Sequence, residues 1–148
     1  MSLSSDLPGT WLLQSRIDKT RDGRRQPDPL LGEDPIALLI YDRTGHFSAQ
    51  FMKKDRSNVE QAAPSNARNN TQAQGGYDAY FGTYRVNDTD GTVTQQLMGS
   101  LSPGNVGMEL TRGMDVRGDT LLITLETTAA DGSPVTRTLT WRRINNEG

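Results

Sequence analysis

The sequence contains no cysteine and only one histidine, His46. Without cysteine there are no disulfides, no thiol nucleophile and no thiolate metal site. A single histidine is also a poor start for zinc, which takes three or four protein ligands. No apolar run approaches the ~20 residues of a membrane-spanning helix, and the longest, Ile36 to Tyr41, is the size of a strand. Met1 to Gly9 has neither a basic start nor an apolar stretch, so no secretory signal is expected and the expected location is cytoplasmic. Neither sign of charge dominates: 16 Lys and Arg stand against 18 Asp and Glu. Nothing there resembles a nucleic-acid footprint. Phosphate-binding and dinucleotide-binding glycine loops, a nucleophile elbow and a paired-carboxylate spacing are all missing. No cofactor is implied, and the expected partner is a small molecule rather than nucleic acid or membrane.

What the chain does have is a succession of short runs rich in Thr, Val, Leu and Tyr. Phe81–Val86, Thr92–Leu101, Met108–Val116 and Thr120–Leu125 are separated by Asp90-Gly91, Pro103-Gly104-Asn105 and Gly118-Asp119. Alternating runs with such breaks predict an antiparallel meander. Upstream, a first strand runs from Gly9 to about Lys19, with Trp11, Leu13, Ser15 and Ile17 expected on one face. Ile36–Tyr41 and His46–Met52 form a hairpin around Arg43-Thr44-Gly45. Between them and the first strand, Pro27, Pro29 and Pro35 forbid a regular ladder. Tyr77–Tyr80 leads into the meander, and Val135–Ile144 is the last strand.

These runs number eight, and 148 residues are one domain by size. The predicted fold is all-β: a single closed or nearly closed antiparallel barrel spanning 1–148. Closure removes exposed edges, and eight strands enclose side chains or one small ligand. Residues 53–76 break the rhythm, with Val59 the only large aliphatic residue among them. Two readings fit: a mobile flap over the barrel, hinged at Gly75-Gly76, or simple disorder.

Gly9-Thr10-Trp11 has the Gly-x-Trp form of the lipocalins. Further blocks are Gly32-Glu33-Asp34-Pro35 through Leu39-Ile40-Tyr41 to Gly45-His46 and Ser48-Ala49-Gln50, then Ala79 to Tyr84, then Gly99-Ser100-Leu101 to Pro103, and finally Trp141-Arg142-Arg143. Taken together the chain resembles the bacterial and fungal lipocalin-like domain family, a calycin-type small barrel. The resemblance implies a barrel with a pocket, and an arginine of the last strand (Arg137, Arg142 or Arg143) stacked on a buried Trp11 at the barrel floor. In that family the fifth strand often carries two histidines and a Glu, with a Trp beyond the proline. Here Gln95, Gln96, Met98 and Asn105 occupy those positions, and amides cannot serve as acid or base in their place.

Arg112 is the most informative charge, because Met108, Leu110, Met114 and Val116 share its row. Arg137 shares one with Val135, Leu139 and Trp141. In the lumen an arginine requires an acid, a carbonyl or an anionic ligand. Tyr41, Tyr80, Tyr84, Met98, Phe47, Phe51 and Met108 suit either a pocket wall or a solid core. On the third strand, Phe47, Ala49 and Phe51 are the more hydrophobic face, whereas the resemblance favours Ser48 and Gln50 inside. His46, beside a turn, reads as exposed, and Asp18, Asp42 and Glu109 read as solvated.

The expected ligand site is Tyr41, Gln50, Tyr80, Tyr84, Met98 and Arg112. The function these residues suggest is binding of a small, largely apolar molecule, carbonyl- or carboxylate-bearing, in the lumen. One alternative is a cofactor-free isomerase or cyclase acting on a polyketide- or terpene-like molecule. The other is a solid barrel that pairs through its outer sheet as a homodimer.

Overall fold

In the computed structural model eight strands close into one antiparallel barrel. The structure describes residues 2–26, 31–32, 34–57, 71, 73–129 and 132–145. The strands are β1 (Gly9–Thr20), β2 (Ile36–Tyr41), β3 (His46–Met52), β4 (Tyr77–Asn87), β5 (Thr92–Ser100), β6 (Glu109–Arg117), β7 (Thr120–Thr128) and β8 (Pro134–Arg143). Each pairs with its neighbours in sequence, and β8 returns to β1. The expected meander and its closure are therefore what the chain forms. Of the proposed flap at 53–76, residues 58–70 and 72 lie outside the described residues.

One end of the barrel is sealed. Residues Leu3–Asp6 form a helical turn, α1, capped by Ser2, and Leu7 after it is completely buried. Ser4 ties this plug to the β4–β5 turn through two hydrogen bonds to Asp88, at 2.9 and 2.6 Å. Trp11 is wholly buried and donates its indole N–H to the Leu7 carbonyl at 3.1 Å. Arg143 lies over the Trp11 ring, 4.3 Å from its centroid, and donates to the Pro8 and Asp6 carbonyls at 2.9 and 2.5 Å. The anticipated arginine lid on Trp11 is thus Arg143, with its remaining donors used on the plug.

Two irregularities decide which side chains face inward. In the β1–β8 ladder Leu13 pairs with Trp141 but Ser15 pairs with Thr140, so Gln14 is an extra residue. Beyond it the inward parity flips: Arg16 and Asp18 are buried, while Ser15 and Ile17 turn away from the lumen. The simple alternation Trp11, Leu13, Ser15, Ile17 therefore fails halfway, because a bulge consumes one residue without a partner. In the β4–β5 ladder Phe81 pairs with Gly99 and Gly82 with Leu97, which leaves Met98 as the extra residue. Gly82 is required there: a Cβ on it would lie 1.8 Å from the Gln96 carbonyl oxygen.

The inward faces supply Leu39, Phe47, Leu97, Leu110, Leu121, Ile123, Leu139 and Trp141 to the buried core. On β3, Phe47, Ala49 and Phe51 are buried, whereas His46 and Gln50 are exposed. The hydrophobic face of that strand is the lumen face.

Candidate lumen site

A line of aromatic rings crosses the interior. Tyr84 meets Tyr41 edge-on with centroids 4.8 Å apart, and Tyr41 stacks on Phe47 at 5.9 Å. Phe47 meets Tyr80 at 6.0 Å, Tyr80 stacks on Phe51 at 6.5 Å, and Phe51 meets Trp141 at 5.8 Å. These separations suit aromatic pairs, and the line gives the lumen one continuous apolar wall.

Polar groups break into this wall from several strands. Arg112, only 6 % exposed, projects from β6 with its charge close to the Tyr41 and Tyr80 phenols and to Arg137. Burial depresses its pKa, and the tyrosines push the other way. Gln95, on the neighbouring β5, donates Nε2–H to the Tyr41 hydroxyl at 2.5 Å. Burial raises the Tyr41 pKa well above the ordinary phenol value. Burial likewise pushes Tyr80 up to about 12, with Asp78 adding to the rise and Arg112 opposing it. Both phenols are therefore hydrogen-bond donors at neutral pH.

Opposite, Arg137 and Asp18 stand in register across the β1–β8 ladder. The guanidinium grips the carboxylate with both prongs, Nε to Oδ1 at 2.8 Å and Nη2 to Oδ2 at 3.0 Å. Asp18 was expected in solvent at a strand end. The bulge at Gln14 turns it inward, and Arg137 makes the burial affordable. On β4, Asp78 is buried beside Tyr80 and accepts a hydrogen bond from the Thr71 hydroxyl.

Among the described residues the buried charged side chains are Arg16, Arg112, Arg137, Asp18 and Asp78. Buried polar atoms that lack a hydrogen-bond partner among the described residues include Gln95 Oε1, Thr127 Oγ1 and Trp141 Nε1. Whichever way the Gln95 amide is turned toward Tyr41, one end of it is left over.

Of the six residues expected to form the site, Tyr41, Tyr80 and Arg112 converge inside the barrel. Tyr84 is half-buried, and its hydroxyl donates to the Asp42 carbonyl at 2.5 Å, in the β2–β3 turn at the sealed end. Its ring borders the lumen through Tyr41, but its polar end does not. Gln50 lies outside, where it accepts from the Tyr77 hydroxyl, because Phe47, Ala49 and Phe51 hold the inward positions. Met98 is 57 % exposed: it is the bulge residue next to the inward Leu97, and no lumen position remains for it. His46 is exposed, its Nδ1 2.8 Å from Thr44 Oγ1, in a turn that Asp42 organises by accepting from the backbone of Thr44 and His46. Among the described residues no three His, Asp or Glu side chains gather as metal ligands would, and no helix is long and apolar enough to cross a membrane.

Sequence reasoning missed Asp18, Asp78 and Thr71, and it named Gln95 only as a departure from a family pattern. Asp78 carried a usable signal, its even offset from Tyr80. Asp18 carried none, since a bulge leaves no mark in simple alternation.

A family model described as a lipocalin-like domain matches residues 8–144, and the chain belongs to that family. A comparison with curated proteins finds no match.

Proposed function

From membership of the lipocalin-like domain family, we propose that this barrel binds a small, largely apolar molecule whose carboxylate or carbonyl is held by Arg112. The observation that carries this reading is a buried guanidinium set against an aromatic wall, flanked by two phenols that stay protonated. Tyr41 and Tyr80 donate hydrogen bonds, and Arg112 supplies charge in a low-dielectric interior, where it counts for more than in water. Buried polar atoms are ordinarily satisfied, so the Gln95 amide and the Trp141 indole N–H are natural docking points for further polar groups of the ligand. Apolar walls with a few convergent polar groups are what small-molecule sites offer.

The test compares decanoate with decanol by calorimetry, after native mass spectrometry of freshly purified protein has shown any ligand it already carries. Decanoate is expected to bind the more tightly. Arg112→Met keeps most of the volume and removes the charge, and it should weaken decanoate binding by roughly 2–5 kcal/mol, the usual cost of deleting one partner of a buried charge pair. Equal affinity for acid and alcohol, or an Arg112→Met protein that binds decanoate as before, would overturn the reading.

A further inference from the structure

The outer surface of the barrel has two unlike halves. Across β2 to β5 one outward row reads Ile40, Ser48, Phe81 and Gly99. Beside it run Leu38, Gln50 and Ala79, and Leu101 extends that row by donating its backbone N–H to the Ala79 carbonyl at 2.7 Å. Ile36, Met52 and Tyr77 form the next row. The Phe81 ring lies over Gly99, where a Cβ would come within 2.4 Å of it, and Met98 stands next to Gly99 at the bulge. Ile36, Ile40, Phe81, Met98 and Leu101 are five of the seven large apolar side chains exposed among the described residues. They are therefore concentrated on one face.

The opposite half is polar. Glu109, Thr111 and Asp115 point outward on β6, Thr124 and Glu126 on β7, and Thr136 on β8. No Lys, Arg, Asp or Glu takes an outward position in Ile36–Ile40, His46–Met52, Tyr77–Thr83 or Gln96–Leu101. Loss of charge together with Phe, Tyr and Met is the composition of an interface core. At roughly 200 Å² for a large side chain standing free, the five exposed residues leave on the order of 500 Å² of apolar surface, the upper end of what soluble monomers show. With the partly exposed Leu38, Met52 and Tyr77 and the Gln50 and Gln96 amides, the face approaches the about 800 Å² that each partner of a standard interface buries.

We propose that the outer face of β2 to β5 is a two-fold interface on which a second copy of this chain docks. A two-fold contact sets the same patch against itself, so a charge near the axis would meet its own sign. Apolar side chains carry no such penalty. Nor do Gln50 and Gln96, since an amide offers both donors and an acceptor and can pair with its own copy. The charges at the Ile36 border are already engaged within the chain. Lys54 pairs with Asp34 at 2.6 Å, and Arg56 lies over the Tyr77 ring, 5.4 Å from its centroid. A face made for a lipid surface keeps such residues for headgroups. Phe81 supplies the aromatic anchor on which interface energy concentrates, and the two sheets would pack about 10 Å apart. The inward side of the same strands carries Tyr41, Phe47 and Tyr80, so the second copy would back the aromatic wall of the lumen. The proposal is independent of the ligand reading.

Sedimentation velocity of the full chain tests this. Between about 1 and 100 µM it should show a species of twice the chain mass, since interfaces of this size bind in the micromolar range or tighter. The chain mass is 16.3 kDa. Phe81→Arg sets like charges against each other and should raise the dissociation constant by about 100-fold or more. Met98→Lys, at a side chain more than half exposed, should raise it by at least about tenfold. It also replaces the first variant should Phe81→Arg fail to fold by circular dichroism. Thr136→Arg, on the polar half, should leave the dimer as it is. A wild-type chain that stays monomeric across this range overturns the proposal. So does a dimer that survives both Phe81→Arg and Met98→Lys, or one that Thr136→Arg disrupts equally. A monomer that floats with vesicles of phosphatidylcholine and phosphatidylglycerol also overturns it, and gives the face to a membrane instead.

Discussion

Asp18 and Arg137 sit directly opposite each other across the β1–β8 seam, 119 residues apart in sequence, and close a two-pronged ion pair inside the barrel. Both side chains are less than a tenth exposed. Taking two charges out of water is costly, and the pair offsets that cost only while both partners are present. Asp18→Ala should therefore destabilise the protein by about 3–5 kcal/mol, because it leaves Arg137 buried without its carboxylate. Replacing both at once, Asp18→Leu with Arg137→Met, should recover most of the loss. Urea unfolding of the two single variants and the double variant checks this. A double variant as unstable as Asp18→Ala would show that the pair is not the source of the effect.

At the sealed end, Trp11 carries the plug, the Arg143 guanidinium and one wall of the core together. Trp11→Ala should cost about 3–5 kcal/mol, as large aromatic truncations in cores do. Arg143→Gln should cost less, roughly 1 kcal/mol for the lost cation–π contact plus the carbonyl bonds it cannot remake. Thermal melts of the two variants give the ranking, and equal losses would mean that the plug rather than the ring sets the stability.

Gly82 tests the β4–β5 bulge. Its missing side chain is the space into which the Gln96 carbonyl fits. Gly82→Ala should break the local ladder or prevent folding altogether. Gly99→Ala, whose Cβ would instead meet the Phe81 ring at 2.4 Å, should cost far less, because Phe81 is half exposed and free to swing away. Soluble yield and denaturant midpoint separate the two, and the expected order is wild type, then Gly99→Ala, then Gly82→Ala.

Alkaline pH should unfold the barrel through its buried phenols. The Tyr80 pKa rises from 10.0 to about 12 in the fold, chiefly by burial. The folded state thus holds the proton more tightly than the unfolded chain does. The resulting stability is fully present below pH 10 and is lost as pH climbs toward 12. For Tyr80 alone this is worth roughly 2–3 kcal/mol, and Tyr41 shifts in the same direction. Tyrosinate absorbance at 295 nm should show these phenols ionising only as the circular dichroism signal collapses. Tyr80→Phe should flatten the pH dependence of the melting temperature between pH 10 and 12.

Local chemistry settled the architecture in advance. Two-residue alternation and turn residues act over a few positions, so eight strands and their order were legible from the chain, and a meander of that length closes because open edges are unfavourable. The Trp11 floor was legible through its motif, and Arg112 through the apolar row it interrupts. Where alternation met no interruption, on β3 and β6, the more hydrophobic face proved to be the lumen face.

What the tertiary structure alone decided is which polar groups meet inside. Gln14 and Met98 each take up one position without a partner, and a single such residue reverses the facing of every residue after it. That reversal carried Arg16 and Asp18 into the lumen, and the bulge left Met98 outside. The Asp18–Arg137 pair and the Tyr41–Gln95 bond also join residues far apart in sequence. Their meeting depends on the register in which the barrel closes, and register is a property of the whole sheet that no short stretch of sequence encodes.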